Sequence, residues 1–86
     1  MEYEVKLSSA AQRDLRRLET HLRSRVKSAL KNLIADARPI GCKKLRGRTD
    51  DVYRIRVGDY RVLYRIDDES HIVLVLRVIH RREAYR

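Results

Sequence analysis

Val52-Tyr53-Arg54-Ile55-Arg56-Val57-Gly58-Asp59-Tyr60-Arg61-Val62-Leu63-Tyr64-Arg65-Ile66 alternates apolar and cationic side chains on both sides of a two-residue turn. A period of two defines a half-buried strand, so Tyr53, Ile55 and Val57 share one face while Arg54 and Arg56 share the other. Gly58-Asp59 supplies the turn, because a primed two-residue turn needs positive φ and glycine adopts it without penalty. This register pairs Val57 with Tyr60 and sets Arg56 opposite Arg61. Like charges directly opposed in a sheet cost some tenths to about 1 kcal/mol. A hairpin that keeps Arg54, Arg56, Arg61 and Arg65 in phase is therefore expected to neutralise them with a bound anion. Segments 52–57, 60–66 and 71–79 contain no acidic residue that could do so instead.

Outward from the hairpin, residues 2–7 also alternate, with Tyr3, Val5 and Leu7 against Glu2, Glu4 and Lys6, and predict a strand with one buried face. Ser8 and Ser9 offer a helix N-cap, after which Ala11, Leu15 and Leu18 mark a buried stripe. From Leu22 a wide apolar stripe continues through Val26, Ala29, Leu30, Leu33, Ile34 and Ala37 at helical spacing. Periodicity alone allows one helix or two over 9–37, and Thr20 as an N-cap favours two. Pro39 and Gly41 end the helical region. A basic loop from Cys42 to Asp51 follows, then the hairpin at 52–66, a polar turn from Asp67 to Ser70, and an apolar run at 71–79 interrupted by Arg77. So apolar a run suggests a central strand covered on both faces over part of its length. The order of strand, helix, helix and β-meander predicts a single α+β domain over residues 1–86, with a two-helix hairpin on one face of a small antiparallel sheet. The opposite face is left to present the arginines.

The chain has 86 residues, with 21 Lys and Arg against 12 Asp and Glu, a formal charge of +9. Such an excess in a short chain favours a polyanionic partner, meaning nucleic acid, an acidic protein or both. The apolar runs are too short and too often broken by charge to span a bilayer, and no signal peptide opens the sequence, so a cytoplasmic protein with no membrane partner is expected. Cys42 is the sole cysteine, which excludes an intrachain disulfide, and nothing around it resembles a cysteine-nucleophile arrangement. His21, His71 and His80 lack ligand spacing, so neither a metal nor another cofactor is expected.

Four motifs in order, Lys44-Leu45-Arg46-Gly47, Tyr53-Arg54-Ile55-Arg56, Gly58-Asp59-Tyr60-Arg61-Val62-Leu63-Tyr64 and His80-Arg81-Arg82-Glu83-Ala84-Tyr85, resemble those of the RelE/ParE superfamily of bacterial and archaeal toxins, on the RelE side. The resemblance covers essentially the whole chain. It implies a ribosome-dependent endoribonuclease that cuts mRNA in the ribosomal A site and is neutralised by a co-expressed acidic antitoxin. In that family the ribose 2′-OH attacks the adjacent phosphate without a metal, leaving a 2′,3′-cyclic phosphate and a 5′-OH.

The resemblance places the catalytic cations of the first hairpin strand at Arg54 and Arg56, the arginine after the turn at Arg61, and the C-terminal pair at Arg81 and Tyr85. Arg61 with Arg54 would hold the scissile phosphate, a task suited to a planar bidentate donor, and Tyr85 would stack on a base or position the ribose. The best-studied relatives carry lysines where this chain has Arg54 and Arg56, and arginine, with a pKa above 12, is a poor proton carrier. Histidine titrates nearest neutrality and some relatives use one near the C-terminus as the acid, which makes His80 a candidate alongside a structural role. Asp50 and Asp51 read as turn formers. Lys43, Lys44, Arg46, Arg48, Arg65 and Arg82 are candidates for contacts with RNA phosphates, while Tyr53, Tyr60 and Tyr64 fall on the apolar face. Two other readings compete with the ribonuclease: a ParE-like inhibitor of DNA gyrase that cleaves nothing, and a non-catalytic RNA-binding module that needs only the electrostatics.

Overall fold

A computed structural model describes residues 2–45 and 51–83. Among them the chain runs β1 (Glu4–Leu7), α1 (Ser9–Arg17), α2 (Thr20–Ala35), β2 (Lys43–Lys44), β3 (Val52–Val57), β4 (Tyr60–Asp67) and β5 (Ile72–His80). The strands form one sheet in the order β1-β5-β4-β3-β2. The hairpin has the expected register, Val57 opposite Tyr60 and Arg56 opposite Arg61, with Gly58 at φ 59° in the turn.

Two helices form, and the break between them has a local cause. Ser8 caps α1, its Oγ accepting from the Ala11 amide at 3.1 Å. At the other end Leu18 turns extended, and Arg23 from α2 donates to the carbonyls of Leu15 and Leu18 at 3.2 and 2.9 Å, satisfying groups that a continuing helix would have used. The N-cap of α2 is Glu19, with no side-chain capping bond, rather than Thr20. Ala11, Leu15, Leu18, Val26, Leu30 and Leu33 then pack with Ile55, Val57, Val62, Tyr64, Val73, Val75 and Val78 in one core. Every one of those strand residues lies on the same pleat face, so both helices cover one side of the sheet. Tyr64, fully buried, spends its hydroxyl on the Ala37 carbonyl at 2.9 Å, and burial pushes its pKa up. No helix among the described residues is long and apolar enough to cross a membrane.

Three expectations need correction. The sheet is mixed, because β1 pairs parallel with β5, Val5 opposite Val73; alternation reports which face a side chain takes but not the direction of the neighbouring strand. The basic loop contributes a strand, with Lys43 opposite Arg54 and Lys44 opposite Tyr53, too short for a period of two to be visible. The third concerns β5, whose Ile72, Leu74 and Ile79 are only half-buried, so it is not covered on both faces. It is interior only where β1 flanks it, from Ile72 to Val75.

The start of the chain and the β4–β5 turn are tied together by Asp68. It accepts from the Tyr3 hydroxyl at 2.6 Å and from both terminal nitrogens of Arg38 at 3.1 and 2.9 Å. Those bonds, Arg38's first and Tyr3's second, lower its pKa to about 2. An unfolded aspartate titrates near about 3.9, so the stabilisation is present above pH 4 and is lost as pH falls through the folded value. Thermal melts followed by circular dichroism should hold steady from pH 7 to 5 and fall steeply between about pH 4 and 2. In Asp68→Asn the melting temperature starts lower and the acid slope is shallower; an unchanged slope would remove Asp68 from the account.

Candidate functional site

Direct pairing puts Arg56 and Arg61 side by side on the sheet face away from the helices. Arg54 lies one pleat repeat, about 7 Å, along β3 from Arg56 on the same face. The structure departs from a simple presenting surface here, because Arg54 and Arg61 are each only 8% exposed, whereas Arg56 is exposed. A guanidinium partly withdrawn from water attracts a phosphate more strongly than a solvated one, since the effective dielectric around it falls. Lys43, opposite Arg54, extends the cationic row across β2.

Arg56, Gly58, Asp59, Tyr60, Arg61, Arg81 and Arg82 line an open cleft of about 380 Å³ at the turn end of the hairpin. The tail reaches it because the Arg81 amide donates to the Asp59 carbonyl at 2.8 Å. Asp59 is the one carboxylate among the described lining residues, and its Oδ1 stands 4.0 Å from Arg81 Nε. Both side chains are about two-thirds exposed (68% and 63%), so this pair is weak and leaves the cleft cationic.

Other candidates stand elsewhere. His80 pairs with Tyr60 on the helix side of the sheet, its ring edge-on to Tyr60 with centroids 5.3 Å apart, and its Nδ1 accepts from the Arg82 amide at 3.2 Å. It lines a separate depression with Asp14 and Arg77, across Tyr60 from the arginine cleft. Arg65 shares the arginine face but sits four residues, about 13 Å, along β4 from Arg61, beside Ile72 and Leu74. Lys44 points by register to the side opposite Lys43, and its Nζ is held by Asp51 at 2.9 Å. Arg46, Arg48 and Tyr85 lie outside the described residues. Asp14 was not anticipated. It falls on the stripe Ala11, Asp14, Leu15, Leu18, and a carboxylate inside an apolar helical stripe is the signal that could have found it.

The sequence model of the ParE toxin family of type II toxin–antitoxin systems matches residues 5–85. The toxin RelG of Mycobacterium tuberculosis is 40% identical over all of this chain and 99% of its own length. The chain belongs to the RelE/ParE family of type II toxins. Among solved structures, the RelBE2 toxin–antitoxin complex of the same organism matches with a TM-score of 0.83 at 34% identity, covering 93% of this chain and 99% of that one. An archaeal RelE–RelB complex from Pyrococcus horikoshii matches with a TM-score of 0.82 at 29% identity, covering 94% and 97%. The family's arrangement of two helices on a five-stranded mixed sheet is therefore the one found here. In this RelE-type toxin the arginine cleft occupies the uncovered side of that sheet, at the end where the tail crosses the hairpin turn.

Proposed function

We propose that this toxin is a ribosome-dependent, metal-independent endoribonuclease that cuts mRNA in the A site, acting as one domain in the cytoplasm. The observation that carries the reading is the convergence of Arg56, Arg61, Arg81 and Arg82 on one cleft. Strand cleavage by the neighbouring 2′-OH passes through a phosphorane with more negative charge than the starting diester. Catalysis needs donors placed where that charge develops. Arg61, fixed within the sheet, with Arg56 beside it and Arg54 one pleat repeat further along β3, holds the scissile phosphate and stabilises the added charge through planar two-point hydrogen bonding. Arg81 joins them from the tail side as a further donor to the developing charge, Arg82 binds a flanking phosphate, and Tyr85 stacks on an unpaired base. Arginines do not carry protons near neutrality, so this surface contributes binding and charge stabilisation, the 2′-OH proton passes to water and water returns one to the departing 5′-oxygen, and His80 on the far side of Tyr60 orients the tail through the Arg82 amide.

The partner follows from charge and likeness together. A chain of net charge +9 repels itself, and an acidic antitoxin laid over the cleft relieves that repulsion while blocking phosphate. The two solved relatives described above are themselves toxin complexes with RelB-type partners.

Primer extension on translated mRNA tests the reading. The expected result is cuts within A-site codons that leave 2′,3′-cyclic phosphate and 5′-OH ends, persist in EDTA-treated protein, and are absent when ribosomes are omitted. Intact mRNA with broken DNA would assign the ParE-like gyrase reading instead. RNA binding with intact RNA would leave only the binding module.

A further inference from the structure

Beyond Val75 the outer edge of β5 has no strand beside it among the described residues, because β1 ends at Leu7. Side chains complete it instead. Ser8 Oγ donates to the Leu76 carbonyl at 2.8 Å, and the Val78 amide donates to Asp14 Oδ2 at 2.9 Å. Asp14 is gripped from the same strand by Arg77, Nε to Oδ2 at 2.7 Å and Nη2 to Oδ1 at 3.2 Å. This carboxylate is only 9% exposed. Burial disfavours its charged form, yet the bonds from Arg77 and Val78 outweigh burial and keep its pKa below the usual carboxylate range. Arg77 is held charged first by Asp14 and further by the carboxylate of Glu83, beyond Arg81 in the tail. The register shift in the β4–β5 pairing falls at the same place, next to Leu63 and Tyr64. Asp14 thus clamps β5 just where it bends and just before the tail begins.

We infer that Asp14 is a positioning residue for RNA cleavage: acting through Arg77 and the Val78 amide, it sets where the chain leaves β5 and so where Arg81 stands over the cleft. The inference rests on the cleavage reading above. Arg81 lies three residues, roughly 10 Å, beyond Val78, so a rotation of the strand end by about 10° displaces it by about 2 Å. Misplacement of about 1 Å in a catalytic group can cost about 100-fold in rate. Arg81 is held at its amide by the Asp59 carbonyl, but its side chain is 63% exposed and has only the 4.0 Å approach to Asp59 as a described ion pair, so the clamp at Asp14 supplies the second point that fixes its direction.

The test combines a double-mutant cycle with amide hydrogen exchange, run well below each variant's melting temperature. Asp14→Asn is expected to lower kcat for A-site cleavage about 10- to 100-fold with little change in KM, and to add less than about twofold when Arg81 is already alanine. The Val78 and Arg81 amides should exchange faster in Asp14→Asn while those of β3 keep their protection. Arg77→Gln, which spares the bond to Val78, serves as the second variant should Asp14→Asn fold poorly; it is expected to lower kcat in the same direction, again without adding to Arg81→Ala. A wild type that cuts RNA together with variants that cut equally well overturns the inference alone, as does a loss that multiplies with that of Arg81→Ala. A wild type that cuts nothing overturns the cleavage reading, and the inference with it.

Discussion

Arg61→Ala is expected to lower the rate of the proposed mRNA cleavage by about 10²–10³-fold, the loss found when one donor to a developing oxyanion is removed. The size follows from where the guanidinium sits. At 8% exposure it works in surroundings where a charge pair 4 Å apart is worth about 4 kcal/mol, against about 1 kcal/mol in open water. Losing about 3 kcal/mol of transition-state stabilisation is about 10²-fold in rate. Stability is expected to change far less, because deleting one of two directly opposed guanidiniums relieves the repulsion between Arg56 and Arg61 and offsets the lost packing. Arg61→Lys keeps the charge but not the planar fork and should fall between, about tenfold down. Single-turnover cleavage on programmed ribosomes, with the folded fraction measured in parallel, is the check. An Arg61→Ala protein within about threefold of wild type would place the chemistry elsewhere.

How much of this was legible depends on the range over which each signal acts. The hairpin and its arginine row were readable because alternation, a Gly-Asp turn and a two-residue loop fix the register locally: Arg56 opposite Arg61 needs no knowledge of the rest of the fold. The place of His80 was not. Pairing begins at the β4–β5 turn with Asp67 opposite Ile72, and continued without interruption it would bring His80 onto the arginine face. The extra residue taken up near Leu76 shifts the later pairs to Leu63 with Arg77 and Tyr60 with His80, which carries the imidazole to the helix side. No local motif announces that bulge. The parallel pairing of β1 and the role of Asp14 were hidden for the same reason, since each depends on elements more than 50 residues apart in the chain. The apolar members of the buried stripes of α1 and α2, by contrast, were visible, and the core they build bears on activity through folding.

Leu33→Ala should destabilise the fold by about 2–5 kcal/mol, the usual cost of an emptied leucine site in a close-packed core. Leu33 is fully buried in α2, within the cluster that includes Tyr64 and Val62 of the central strand. A chain of this length typically holds only about 5–10 kcal/mol, so the variant should be largely unfolded or degraded at 37 °C. Ile34, the next residue, is half-buried at the groove between α2 and β1, and Ile34→Ala should cost about 1 kcal/mol, since less apolar area returns to water. Urea denaturation of the pair separates burial from helix propensity, because both substitutions place alanine in one helix and their propensity gains differ by only a few tenths of a kcal/mol. Equal losses would mean that the two-layer packing is not what holds the sheet in place beneath its arginines. The functional corollary runs the other way from Arg61→Ala: Leu33→Ala is expected to lose toxicity in cells by falling in abundance, while its folded fraction should carry out the proposed cleavage at close to the wild-type rate per molecule. A Leu33→Ala protein that is fully folded yet inactive would contradict the separation drawn here between the layer that supports the cleft and the arginines that line it.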